Sequence, residues 1–190
     1  MKRWLAALLI SAGAFASAAA TAEPRRWVVD TAQSSLAIVY LINGEERRGA
    51  FAEFSGEAVF DPADLEAAEL EFLIHTPTID AGDSFGTEVV RGVDWLDVET
   101  HPTARFVLTA LTPLGGDRYG VTGDLTLRGR TGVVSGEMTL EIADDAATAT
   151  GRSLFDRREY RVGVGFTTLF VDVGDEIVVA FDLTAMPASQ

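Results

Sequence analysis

The sequence predicts an all-β barrel or sandwich of antiparallel strands. Three observations predict it. In the stretch 117–130, Tyr119, Val121, Gly123, Leu125 and Leu127 fall on one side of an extended chain, with Arg118, Thr122, Asp124, Thr126 and Arg128 on the other. This period of two marks a strand with one buried face. Similar alternation recurs along the chain, and no strong helical period competes with it. Tight turn signals and 18 glycines separate the segments, as expected of a sheet that bends and closes on itself.

The elements follow in order. Residues 1–22 read as a cleavable export leader: Lys2 and Arg3, then the apolar run Trp4–Phe15, then Ala20-Thr21-Ala22, with cleavage expected after Ala22. The apolar run is too short to span a bilayer, so no stable membrane anchor is expected. Residues 23–190 form one expected domain. Trp27–Asp30 reads as a short first strand and Ser34–Ile42 as a second. Asn43-Gly44 is a hairpin turn signal. Arg48–Phe60 reads as one long strand, with Gly49 and Gly56 as bends or bulges. Leu65–Ala68 reads as a loop with one helical turn. Leu70, Phe72 and Ile74 alternate with Glu69, Glu71 and Leu73 in the next strand.

A short helix is expected around residues 83–94, capped by Asp83 or Ser84 and weakened by Gly92. Beyond Pro102, Phe106, Leu108 and Ala110 alternate with Arg105, Val107 and Thr109. The strand within 117–130 comes next, ended by a turn at Gly129–Gly132. Then Val134, Met138, Leu140 and Ile142 alternate with Val133, Glu137, Thr139 and Glu141. Ala147–Phe155 is a strand of small residues, 157–165 is rich in Arg and Gly, and Ile177, Val179, Phe181 and Leu183 close the pattern.

Composition narrows the function classes. Loss of the leader removes Lys2 and Arg3, leaving 13 cationic residues against 29 acidic ones, a formal charge of −16. Such a surface disfavours nucleic acid, whose phosphates require a basic partner, and anionic lipid surfaces. With no cysteine, there is no disulfide, thiolate nucleophile or Cys-based metal site. His75 and His101, the only histidines, lack the close spacing of a helical zinc motif. Ser34, Ser35 and Ser153 lack a G-x-S-x-G context. No catalytic group and no metal are expected.

Several blocks stand in order along the chain. They are Trp27-Val28-Val29-Asp30 with Ser35-Leu36; Gly49-x-Phe51 with Phe54-x-Gly56 and Phe60-Asp61; and Asp94-Trp95-Leu96-Asp97 with His101-Pro102 and Phe106. The run from Tyr119 to Thr131 is the most specific, and Arg157-x-x-Tyr160 with Asp175-Glu176-Ile177 completes the series. Together these blocks resemble the YceI-like family of exported bacterial proteins, lipocalin-like barrels associated with polyisoprenoid lipids. Where the family often has glycine after the aromatic of that last block, this chain has Arg161. The resemblance implies an eight-stranded antiparallel lipocalin-like barrel in a periplasmic protein. It also implies an amphipathic lipid partner, an isoprenoid or a quinone, and no other cofactor. A homodimer is left open.

The candidate ligand-binding residues are the apolar side chains whose parity turns them inward: Ile38, Tyr40, Phe54, Phe72, Phe106 and Leu108 in the first half, then Tyr119, Val121, Leu125, Met138, Leu140, Val179 and Phe181. Parity alone does not separate a packed interior from a lined tunnel, since an eight-stranded barrel is just wide enough for either. Arg157, Arg158 and Arg161 present guanidinium groups suited to a phosphate head group, or to ion pairs with the many carboxylates. Arg157 is the one the family block singles out.

Overall fold

The computed structural model describes residues 25–188 apart from 62–63 and 144; the expected leader lies outside the described residues. Its strands are β1 (Arg25–Val29), β2 (Ser35–Ile42), β3 (Glu45–Phe51), β4 (Phe54–Phe60), β5 (Glu69–His75), β6 (Ile79–Asp80), β7 (Thr103–Gly115), β8 (Arg118–Leu127), β9 (Arg130–Ile142), β10 (Ala147–Asp156) and β11 (Glu176–Pro187), with one α-helix, α1 (Ser84–Arg91). All ladders are antiparallel. The ring β1-β4-β5-β7-β8-β9-β10-β11 closes through β1 and β11, an eight-stranded barrel.

Three walls of this barrel are bent strands cut in two. β1 and β2 run in the same sense along β11, pairing with Ala185–Pro187 and Val178–Asp182 in turn. β3 and β4 form the second wall, which the sequence reads as one strand from Arg48. It starts earlier, at Glu45, and breaks at Ala52-Glu53. The charged run from Glu45 to Arg48 is therefore strand, paired with β2 from Ile42↔Glu45 onward. β5 and β6 form the third wall. Closure leaves the long hairpins no free edge except where a strand is broken or diverges.

Local chemistry sets the connections. Asn43 and Gly44 both take positive φ, 52° and 79°, the pair of left-handed residues that a tight hairpin needs. Arg128 and Gly129 repeat it at φ 50° and 69°. The Asp83 side chain accepts from the Gly86 N–H (2.8 Å), capping α1, and Asp64 caps a one-turn 3-10 helix at Leu65–Ala67.

Two buried clusters lie toward the two ends. At one end Trp95, Leu96 and Val98 from the loop after α1 meet Tyr160, Val162 and Val173 from the long β10–β11 loop, over Leu125, Leu127 and Val134. At the other, Trp27, Phe60 and Ala147 pack with Leu65, Leu111, Tyr119, Leu140 and Ala185, drawn from nearly every wall. Leu36, Phe54 and Phe72 form a third cluster between them.

Candidate functional site: an apolar cavity inside the barrel

The barrel is not filled. A cavity of about 220 Å3 lies between the two end clusters, and its wall is almost wholly apolar. That is larger than the roughly 150 Å3 apolar cavity that stays dry and takes up benzene.

The cavity exists because large and small residues face each other across the wall. Phe72 pairs with Gly56, and a Cβ on Gly56 would stand 2.6 Å from the Phe72 ring. A Cβ on Gly123 would stand 2.4 Å from the Phe106 ring. Each glycine therefore lets an aromatic ring lie flat along the wall rather than project across the lumen. Phe72 is further held by stacking on Phe54, with centroids 5.4 Å apart.

The inward-parity residues divide by geometry. Phe72, Phe106 and Leu108 line the cavity on one side. Val121, Leu125, Met138, Leu140, Val179 and Phe181 line it across β8, β9 and β11. The remaining candidates serve the wall and its ends. Phe54 is buried against Phe72, and Ile38 packs against the cluster around Trp95. Tyr119 meets Phe60 edge-on, with centroids 6.0 Å apart, in the opposite end cluster. The Tyr40 hydroxyl donates to the Ala81 carbonyl (3.0 Å). Burial, then the nearby Asp83 carboxylate, raises that phenol above its ordinary pKa.

Arg157 is buried away from the cavity, 6% exposed. Its Nε donates to the Gly174 carbonyl (2.9 Å). Nη1 donates to Val162 (2.9 Å) and Gly163 (2.7 Å). Nη2 donates to Val173 (3.0 Å) and to the Asp175 carboxylate (3.1 Å). These contacts occupy the full donor set of a guanidinium, so Arg157 pins the β10–β11 loop as the stopper of one end. Arg158 is ion-paired with Asp175 and, at 3.7 Å, Asp156.

Beside it, Tyr160 is 1% exposed and meets Phe155 edge-on. Its hydroxyl has no hydrogen-bond partner, and burial pushes its pKa up to about 12. Arg161 follows with φ 56°, the left-handed region that glycine adopts without steric cost. A glycine at this position would meet no such cost. Arg161→Gly keeps the carbonyl that accepts from Arg128 and is expected to raise stability by about 0.5–1 kcal/mol, read as a higher midpoint in urea.

Sequence reasoning missed several lining residues. Leu111 is one: the β7–β8 register shifts between Leu108 and Ala110. This bulge reverses the inward parity, so that Leu111 and not Ala110 lines the cavity. Trp27, Ala58, Leu70, Ala149 and Leu183 also line it. Leu70 and Leu183 carry the same inward parity as their neighbours, a signal that was available. At the surface, His75 Nδ1 lies 2.8 Å from Glu53 Oε2, and no cluster of three or more metal-ligating side chains occurs among the described residues.

Comparison with known proteins places this barrel. Residues 27–185 match the YceI-like domain. A UPF0312 protein of Azotobacter vinelandii is 35% identical over 83 residues, 44% of this chain and 43% of that protein. One from Shewanella denitrificans is 30% identical over 134 residues, 69% of each. The chain spans about half the length of several curated relatives it matches. Burkholderia cenocepacia BcnA superposes with a TM-score of 0.78 at 34% identity, over 83% of this chain and 99% of that one. A polyisoprenoid binding domain from Saccharophagus degradans, described as implicated in plant cell wall breakdown, shares the fold with a TM-score of 0.68 at 16% identity, over 85% and 98%. With a match that covers the whole barrel from Trp27 in β1 to Ala185 in β11, this chain belongs to the YceI-like domain family.

Proposed function

We propose that this protein is a periplasmic carrier that holds an isoprenoid lipid or quinone, or a similar long amphipathic molecule, by its apolar chain inside the barrel. The observation that carries this reading is the unfilled apolar cavity inside the barrel. Burial of an apolar chain there contributes roughly 25 cal/mol per Å2 removed from water. The wall offers few polar groups, so affinity rests on apolar area, and no chemical step is required of the protein. The polyisoprenoid-binding description of the Saccharophagus degradans domain supports the ligand class by likeness of fold. A filled-core interaction protein is the competing reading, and the cavity argues against it. No helix among the described residues is long and apolar enough to cross a membrane.

Native mass spectrometry of the protein, expressed with its leader and purified without delipidation, is expected to show an isoprenoid-sized adduct. Lipid extract is expected to raise the melting temperature of the stripped protein. A bare mass together with an unmoved melting temperature would overturn the proposal.

A further inference from the structure

The ladder between β5 and β7 is incomplete, and beyond it the Leu65–Ala67 turn packs against β7 in place of a strand. The β5–β7 ladder runs only from His75↔Thr103 to Glu71↔Val107. β7 continues to Gly115, paired there with β8 alone, and the bulge at Leu108–Ala110 begins where the ladder to β5 stops. Pro113, which cannot donate a ladder hydrogen bond, sits in this one-sided half of the strand. Outside the barrel, over β4, β5 and β7, lies a depression of about 390 Å3. Register turns Ala58 and Leu70 to the same face as Trp27, into the lumen. Yet Ala58, Leu70, Ala68 and Leu108 line both the inner cavity and the outer depression. Side chains that belong to the lumen also line the depression, so cavity and depression share this stretch of wall. Hydrophobic clusters pack the walls together at both barrel ends.

The rim of the seam is charged. Arg26 pairs with Glu57 (3.5 Å) and Arg105 with Glu71 (2.6 Å), all of them exposed. Glu69, also exposed and lining both spaces, has no ion pair among the described residues. Inside, an anionic head group would meet an apolar wall, and a charge buried without partners is costly. At the seam it would meet the Glu69 carboxylate.

We propose that the ligand enters and leaves sideways through the β5–β7 seam, and that the acidic rim favours an uncharged head group over an anionic one. The proposal rests on the carrier reading and adds to it a route and a head-group class.

Two C20 probes with the same chain test it on the mature protein: geranylgeraniol, uncharged, and geranylgeranyl diphosphate. Binding is followed by stopped-flow tryptophan fluorescence, since Trp27 lines the cavity. Geranylgeraniol is expected to bind at least 10-fold more tightly than the diphosphate, and Glu69→Lys to narrow that ratio at least threefold. Ala68→Trp is expected to slow both association and dissociation of geranylgeraniol at least 10-fold. A second route blocks the seam after folding. The chain has no cysteine, so Glu69→Cys takes a bulky methanethiosulfonate reagent at one place only. Exchange should slow on labelling and recover on reduction.

Wild-type exchange rates in both blocked proteins would overturn the seam while leaving the carrier reading standing. Equal affinity for the two probes would overturn the head-group preference. Failure of both probes to bind the unmodified protein would overturn the carrier reading, and the seam with it.

Discussion

Arg157→Ala is expected to lower the folding free energy by about 3–5 kcal/mol, the range for removing one partner from a buried charged network. The loss has two parts. The carbonyls of Val162, Gly163, Val173 and Gly174 all accept from this one guanidinium, and each would be left without that donor inside folded protein. The second part is topological. Arg157 ties both ends of the 157–175 loop together, and that loop carries Tyr160, Val162 and Val173 into the cluster that closes the barrel. Arg157→Lys is expected to recover little, because an ammonium offers three donors in place of a planar fork of five. Urea unfolding of the two variants beside the parent measures this. A head-group role for Arg157 makes the opposite forecast: an unchanged midpoint in Arg157→Ala, with affinity lost only for anionic ligands.

This residue also shows how far the sequence carries. The type and position of Arg157 are legible in its family block. Its task is not, because a guanidinium that binds phosphate and one that gathers backbone carbonyls use the same donors. What separates them is whether a loop closes around the side chain, and that depends on contacts such as Arg157 Nη2 to Val173, 16 residues apart.

The barrel itself is legible because burial on one face imposes a period of two, which survives wherever a strand is regular. In β8, Val121 and Leu125 line the cavity as parity requires. Tyr119 shares their parity but sits at the strand's end, where it packs into the cluster of Phe60 and Trp27 instead of lining the cavity. Parity tells inside from outside, not middle from end. In β7 the bulge ends the alternation, and Leu111 was lost for that reason. The seam left one trace in the sequence, Pro113 within a strand. A proline there marks an edge, and an edge inside a closed barrel marks a gap.

Val121→Trp is expected to abolish ligand binding, with affinity for geranylgeraniol falling at least 100-fold, while the protein stays folded. Val121 is half-buried on the middle of β8 and faces the cavity. An indole there occupies space that the parent leaves open, so the usual cost of overpacking a tight core, about 1–3 kcal/mol, should largely be avoided. Leu125→Ala provides the contrast. Leu125 lines the cavity but also belongs to the buried cluster with Leu127, Val134 and Tyr160. Its truncation is expected to cost about 2–5 kcal/mol and to enlarge a space the ligand chain can still enter. One substitution should remove binding and spare stability; the other should do the reverse. Melting temperature and equilibrium titration of both variants separate a lined cavity from a packed core. If Val121→Trp melts several degrees lower and still binds geranylgeraniol with the parent's affinity, the ligand does not lie in the barrel. If both variants only lose stability and neither the parent nor the variants bind, the interior is a core with a void in it.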